Sequence, residues 1–316
     1  VYLRSKTAAD IDGRVAKILR DLGVAEPPVR MEEVIDRLSL DRRYFSSTDE
    51  GFLHEAAHKL KVAGKQVFRR PGLLLDAVKK LSLKALFLPD RKRILIDKEL
   101  PPTKQRWAEA HEVAHSVIPW HDQLMLGDTK QTLSPACHQQ VEAEANYGAG
   151  RLLFLQDRFR DHLDATALTM AHVRDLAKRF GNSITSTLWR AVEHLDGPAV
   201  GVISGHPNHP PEDFDPANPC EYLIRSRAFA ERFSGTDEAT VFAAVRGYCG
   251  WVKRGPLGAG EVVLADAAGE EHLFEFETFH NGYQALTLGL YKCPRPTTAR
   301  VGSNLLVATS VRRVRT

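Results

Sequence analysis

Residues 107–121 read WAEAHEVAHSVIPWH. Within them His111, Glu112 and His115 form an H-E-x-x-H pattern. On an α-helix, residues i and i+4 share a face, so His111 and His115 can turn two imidazoles toward one ion. Glu112 lies about 100° round the helix, close enough to reach an attacking water without binding the ion itself. Two nitrogen ligands for zinc and a general base are the parts of a metal-assisted hydrolysis. The pattern is short, so it needs a third ligand in the right place.

The stretch CHQQVEAEANYGAGRLL offers two carboxylates, Glu142 and Glu144. Stepping about 100° per residue from Val141 puts Val141, Ala145, Ala149, Leu152 and Leu153 on one arc, with Glu142 inside it. The small residues there allow another helix to approach closely. A carboxylate on such a face is costly unless a cation meets it, so Glu142 is the expected third ligand. Glu144 falls beside Arg151 and is expected to be a solvated surface residue. His121 is expected on the polar rim. Three protein ligands leave one coordination position open for water. Cys137, five residues before Glu142, has two readings: a small buried thiol, or an inhibitory fourth ligand whose thiolate fills the open position. Cys220, Cys249 and Cys293 read as structural.

The elements that must position these residues follow from local pattern. Residues 85–88 and 93–97 read as two strands around a Pro-Asp turn. Strand 93–97 is expected to bind extended substrate by edge pairing. The motif helix starts near Thr103, and a second helix covers about 138–155. Residues 8–22 read as a helix ending before Gly23, residues 52–83 as two helices broken at RRPG, and residues 166–195 as two helices around Gly181-Asn182. From 197 the pattern turns to strand, passes a Pro-rich loop and two helices around 224–250, and returns to strand in EVVLADA, HLFEFETF, QALTLGLYKC and NLLVATSVRRV. Two domains are expected, 1–196 and 197–316.

The 316 residues are 43% hydrophobic, ordinary for a chain with a real core. There is no run of about 18 apolar residues, so no membrane span is expected. Four scattered cysteines without a CxxC suggest a reducing cytosol and a cytoplasmic protein. The net charge of +3 is unevenly spread. Between Lys59 and Arg93 eleven Lys or Arg face only Asp76 and Asp90, giving +9 there and −6 elsewhere. Such asymmetry points to a polyanion, DNA or RNA and expected as single strands, with single-stranded DNA the expected partner, or to a solvated helix face. The candidate nucleic-acid-binding residues are Arg69, Arg70, Lys79, Lys80, Arg91, Lys92 and Arg93.

The hairpin, RWAEAHEVAHSVIPWH and VEAEANYGAGRLLF, in this order and spacing, resemble the ImmA/IrrE family of zinc metallopeptidases. VRDLAKRFGNSITSTLWRAVEHL, residues 173–195 within a segment of about 156–196, resembles the family's helix-turn-helix-like segment. The resemblance implies His111, His115 and Glu142 as zinc ligands and Glu112 as the base. It also implies a zincin-like helical metallopeptidase domain with a small sheet, in an α+β chain. The layout is most like CapP-type members, which accompany anti-phage defence and carry a GAF-like α/β sensor domain that would take an unknown small ligand. In them a cysteine blocks the zinc, which keeps the inhibitory reading of Cys137 open. The implied function is cleavage of a helix-turn-helix repressor after DNA damage, releasing a defence or stress operon. Two departures stand out: the basic insertion at 52–83, and Phe154-Leu155 where many members continue to Met-Pro. The competing readings are a nucleic-acid-binding regulator with a vestigial zinc site, against which the intact Glu112 speaks, and a metal-free scaffold.

Overall fold

The structure, a computed structural model, describes residues 3–46, 85–88, 92–121, 135–210, 212 and 214–295. It is a mixed α+β chain of two compact units, residues 1–159 with 179–182, and residues 160–178 with 183–316.

In the first unit α1 (Ser5–Asp21) buries Ile11, Val15, Ile18 and Leu19, an apolar stripe at helical spacing. After α2 (Met31–Arg37) come β1 (Asp41–Phe45), β2 (Ala85–Leu88) and β3 (Arg93–Asp97). The strand order is β1-β3-β2, with β1 parallel and β2 antiparallel to β3. β2 and β3 form where the sequence places them. β1 was not anticipated, because DRRYF carries three charges in five residues. Its presence corrects one expectation: β3 is the central strand, bonded on both edges, and has no edge to offer a substrate. Arg42 of β1 reaches Glu109 at 2.8 Å, a largely buried ion pair that ties the sheet to the motif helix.

That helix, α3 (Pro102–Val117), opens on Pro102, whose missing N–H costs nothing in the first turn. It stops where Pro119 holds Ile118 in an extended conformation, φ −97° and ψ 101°. α4 (Pro135–Leu153) lies along α3, and α1 packs on α4. The α3–α4 seam is made of small residues. Ala110, Ala114, Ala145 and Ala149 are buried, and a Cβ on Gly148 would sit 3.0 Å from the Cβ of Ala114. Gly148→Val should therefore cost about 1–3 kcal/mol by overpacking and weaken metal binding by parting the helices. Thermal unfolding and metal titration of the variant would check both. Past α4, Leu155 and Gln156 both take left-handed backbone, φ 55° each.

The second unit begins with most of α5 (Arg158–Leu163) and α6 (Met170–Phe180). Gly181, at φ 68°, makes the turn into α7 (Ile184–His194), capped by Ser183 accepting from the Ser186 N–H. The two expected helices are present. α7 packs on strands of the second unit, which therefore starts ahead of residue 197. The five strands are β4 (Ala199–Ser204), β5 (Cys220–Arg225), β6 (Gly255–Ala265), β7 (Glu271–His280) and β8 (Ala285–Pro294). They form one antiparallel sheet in the order β5-β4-β8-β7-β6. With α8 (Arg227–Arg232) and α9 (Glu238–Tyr248) they enclose a core that includes Val202, Phe229, Phe233, Val245, Phe274 and Phe276. β5 was missed in the sequence, and NLLVATSVRRV lies outside the described residues. Among the described residues no helix is long and apolar enough to cross a membrane.

Candidate metal centre

α3 and α4 face each other across their small-residue seam, and this brings three donors together. The Nε2 atoms of His111 and His115 are 3.1 Å apart. Glu142 places Oε2 3.2 Å from His111 Nε2 and Oε1 3.7 Å from His115 Nε2. These three residues form a group whose ligand atoms all lie within 4.8 Å of one another. The His111 Nδ1–H donates to Asn146 Oδ1 at 3.1 Å, which leaves Nε2 a lone pair. Two imidazole nitrogens and a carboxylate converging on one point suit a borderline cation such as zinc. His111 shows the same demand. Burial opposes its charged form, yet the hydrogen bond and charge of Glu142, with the charge of Glu112, hold its pKa above the ordinary value.

Glu112 is 5% exposed. Burial pushes its carboxyl up to about 7, countered by His111 and by a hydrogen bond from the Phe87 backbone of β2, while the Glu142 charge adds to the rise. The β2 backbone thus helps to hold the Glu112 carboxyl in place. The sign of the pH effect follows. In metal-free protein the folded state keeps the Glu112 proton up to about pH 7, whereas unfolded chain releases it near 4.5. Stability should fall as pH rises through that window, by about 3 kcal/mol in all. Thermal unfolding of chelator-treated protein at pH 5 and 7.5 would check this, with Glu112→Gln removing the contribution.

Two expectations need correction. Glu144 is not a solvated residue: it is 1% exposed, and accepts from Gln140 Nε2 at 2.8 Å, from Trp120 Nε1, and from His121 Nε2 at 3.0 Å. His121 is not on a polar rim: it is fully buried, with Nδ1 2.9 Å from His115 Nδ1. A wheel drawn for α4 alone sees only the residues of α4. The turn that follows α3, ending at His121, covers its other side. Glu142, by contrast, has a side chain 40% exposed rather than packed away.

Residues 61–191 match the IrrE N-terminal-like domain family. Two curated relatives are radiation response metalloproteases IrrE. The one from Deinococcus deserti is 29% identical over 115 residues, 36% of this chain and 41% of that protein. The one from Deinococcus radiodurans is 26% identical over 127 residues, 40% of this chain and 38% of that protein. Residues 61–191 are similar to the metallopeptidase domain of the ImmA/IrrE family. The chain matches only about two fifths of the length of these curated relatives. A solved Mycobacterium tuberculosis transcriptional regulator is similar in fold at a TM-score of 0.51 and 14% identity, over 89% of this chain and 88% of that one.

The matched stretch contains all of His111, Glu112, His115 and Glu142. Of the remaining candidates, Arg69, Arg70, Lys79, Lys80 and Arg91 lie outside the described residues, as does the Cys137 side chain. The backbone at 137 belongs to the first turn of α4 rather than to a preceding loop. Lys92 is exposed, while Arg93 is held by Asp41 at 2.6 Å on the neighbouring strand.

Proposed function

We propose that the chain is a zinc-dependent endopeptidase that cleaves a helix-turn-helix transcriptional repressor, and that DNA damage or single-stranded DNA triggers it, releasing a defence or stress operon. The observation that carries this reading is the buried Glu112 beside the His111–His115–Glu142 cluster. His111, His115 and Glu142 would hold the metal. Zinc, when bound, supplies a Lewis acid that brings the pKa of water toward neutrality and polarises a carbonyl. Glu112 takes a proton from the attacking water and returns it to the leaving amine. Burial suits it to both, since a base near neutrality accepts and donates with comparable ease. The strands after 197 serve as a sensor for a small ligand, with α6 and α7 as the helix-turn-helix-like segment before them.

Purified protein should carry one zinc per chain and cut the repressor into two fragments, stopped by a chelator and restored by zinc. Protein that neither holds nor takes up zinc would remove this reading. The basic stretch up to Arg93 supports the nucleic-acid trigger. Counterion release makes binding to single-stranded DNA fall steeply with salt, and reversing Arg69, Arg70, Lys79 and Lys80 to Glu should weaken it and flatten the salt slope. An unchanged affinity and slope would leave the stretch a solvated face.

A further inference from the structure

We propose that His121 and Glu144 are positioning residues that hold the ring of His115 through a buried, one-directional chain of hydrogen bonds; this rests on the metal-centre reading above. Neither residue belongs to the H-E-x-x-H pattern. The chain runs from His115 Nδ1 to His121 Nδ1 at 2.9 Å, then from His121 Nε2 to Glu144 Oε2 at 3.0 Å. All three side chains are buried, His121 completely.

Donor and acceptor inventories fix the direction. Glu144 receives the side-chain N–H groups of Trp120 and Gln140, both of which can only donate there. Both carboxylate oxygens already receive N–H groups, Oε1 from Gln140 and Oε2 from Trp120, so Glu144 meets His121 as an acceptor. The hydrogen between His121 and Glu144 therefore sits on His121 Nε2. In the neutral ring His121 Nδ1 is then bare and accepts. The hydrogen it accepts is that of His115 Nδ1, so His115 Nε2 keeps its lone pair. That Nε2 faces His111 Nε2 and the Glu142 carboxylate. In the reverse direction, two acceptors would face each other 3.0 Å apart at His121 and Glu144. The chain thus selects the one tautomer of His115 that can ligate through Nε2, and it fixes the ring plane.

α4 serves both histidines. Asn146 tethers His111 directly, and Glu144 tethers His115 through His121. The two tethers and the ligand Glu142 alternate along one stretch, EAEAN. Outer partners of metal-bound histidine are worth about 10–100-fold in metal affinity.

The test measures zinc affinity by competition with a chromophoric chelator, and the visible absorption of the cobalt-substituted protein. His121→Phe and Glu144→Ala should each weaken zinc binding 10–100-fold. The double variant should lose little more than the worse single one, since both cut the same chain. Glu144→Gln keeps an acceptor for His121 and should recover most of the affinity while shifting the cobalt bands. Circular dichroism and thermal unfolding of the metal-free proteins separate this from general damage. Should the apolar variants not fold, the cobalt spectrum of Glu144→Gln decides. Zinc affinity and cobalt spectra equal to wild type would overturn the inference while leaving the metal centre intact. Wild-type protein that binds no zinc would remove the metal centre itself, and this inference with it.

Discussion

Glu112→Gln should lower cleavage of the repressor by about 10²–10⁴-fold while the protein keeps its zinc and its fold. Gln is nearly isosteric with Glu and accepts the hydrogen bond from the Phe87 backbone, so the packing under β2 survives. It cannot take a proton from water. Because Glu112 is desolvated rather than paired with a fixed cation, removing its charge costs the fold little. As pH rises from about 4.5 through about 7 the variant should even gain on metal-free wild type, whose stability falls across that window, and it should keep the gain above it. Cleavage assays alongside metal analysis separate the outcomes. A variant that cuts the repressor at the wild-type rate would move the base elsewhere. One that loses zinc as well would mean Glu112 also shapes the ligand set.

Glu142→Ala should reduce zinc affinity by more than the 10–100-fold expected for an outer partner, because in the proposed centre it is one of three direct ligands. The side chain is 40% exposed and faces the two histidines, so its loss opens no cavity and costs the fold little. In metal-free protein the substitution also removes a charge that pushes the Glu112 carboxyl upward. Equilibrium dialysis against zinc would measure the loss. Retained affinity would transfer the third ligand to another group.

The histidine pair, the hairpin and the two helices of the centre were legible because each rests on a short local signal. The i,i+4 spacing places His111 and His115, and two short apolar runs around a Pro-Asp turn mark β2 and β3. What escaped depends on residues distant in sequence. β1 reads as a polar loop until Arg42 meets Glu109, which arrives from α3, 67 residues later. Glu144 reads as solvated until the turn after α3 brings Trp120 and His121 over it. β5 escaped because CEYLIR, following a Pro-rich loop, has no clean alternation, and its partner strand lies on the far side of that loop. Pattern within a segment predicts what the segment can form, whereas burial of a charge depends on what another segment lays over it.

The pair of left-handed residues after α4 bears on how freely pieces of this domain can be exchanged with those of its kin. Many resembling proteins carry Met-Pro where this chain has Phe154-Leu155. A proline ring locks φ near −65°, about 120° away from the 55° that Leu155 adopts. Proline would also delete the N–H that Leu155 gives to the Leu152 carbonyl. The next residue, Gln156, anchors its side-chain amide on the Asp12 carbonyl of α1 at 2.7 Å. The exit from the ligand helix is thus a local dialect: a graft across this junction has to carry residues 154–156 and the α1 surface they dock on as one block, and a chimera joined at Phe154 would inherit a turn that its backbone cannot make.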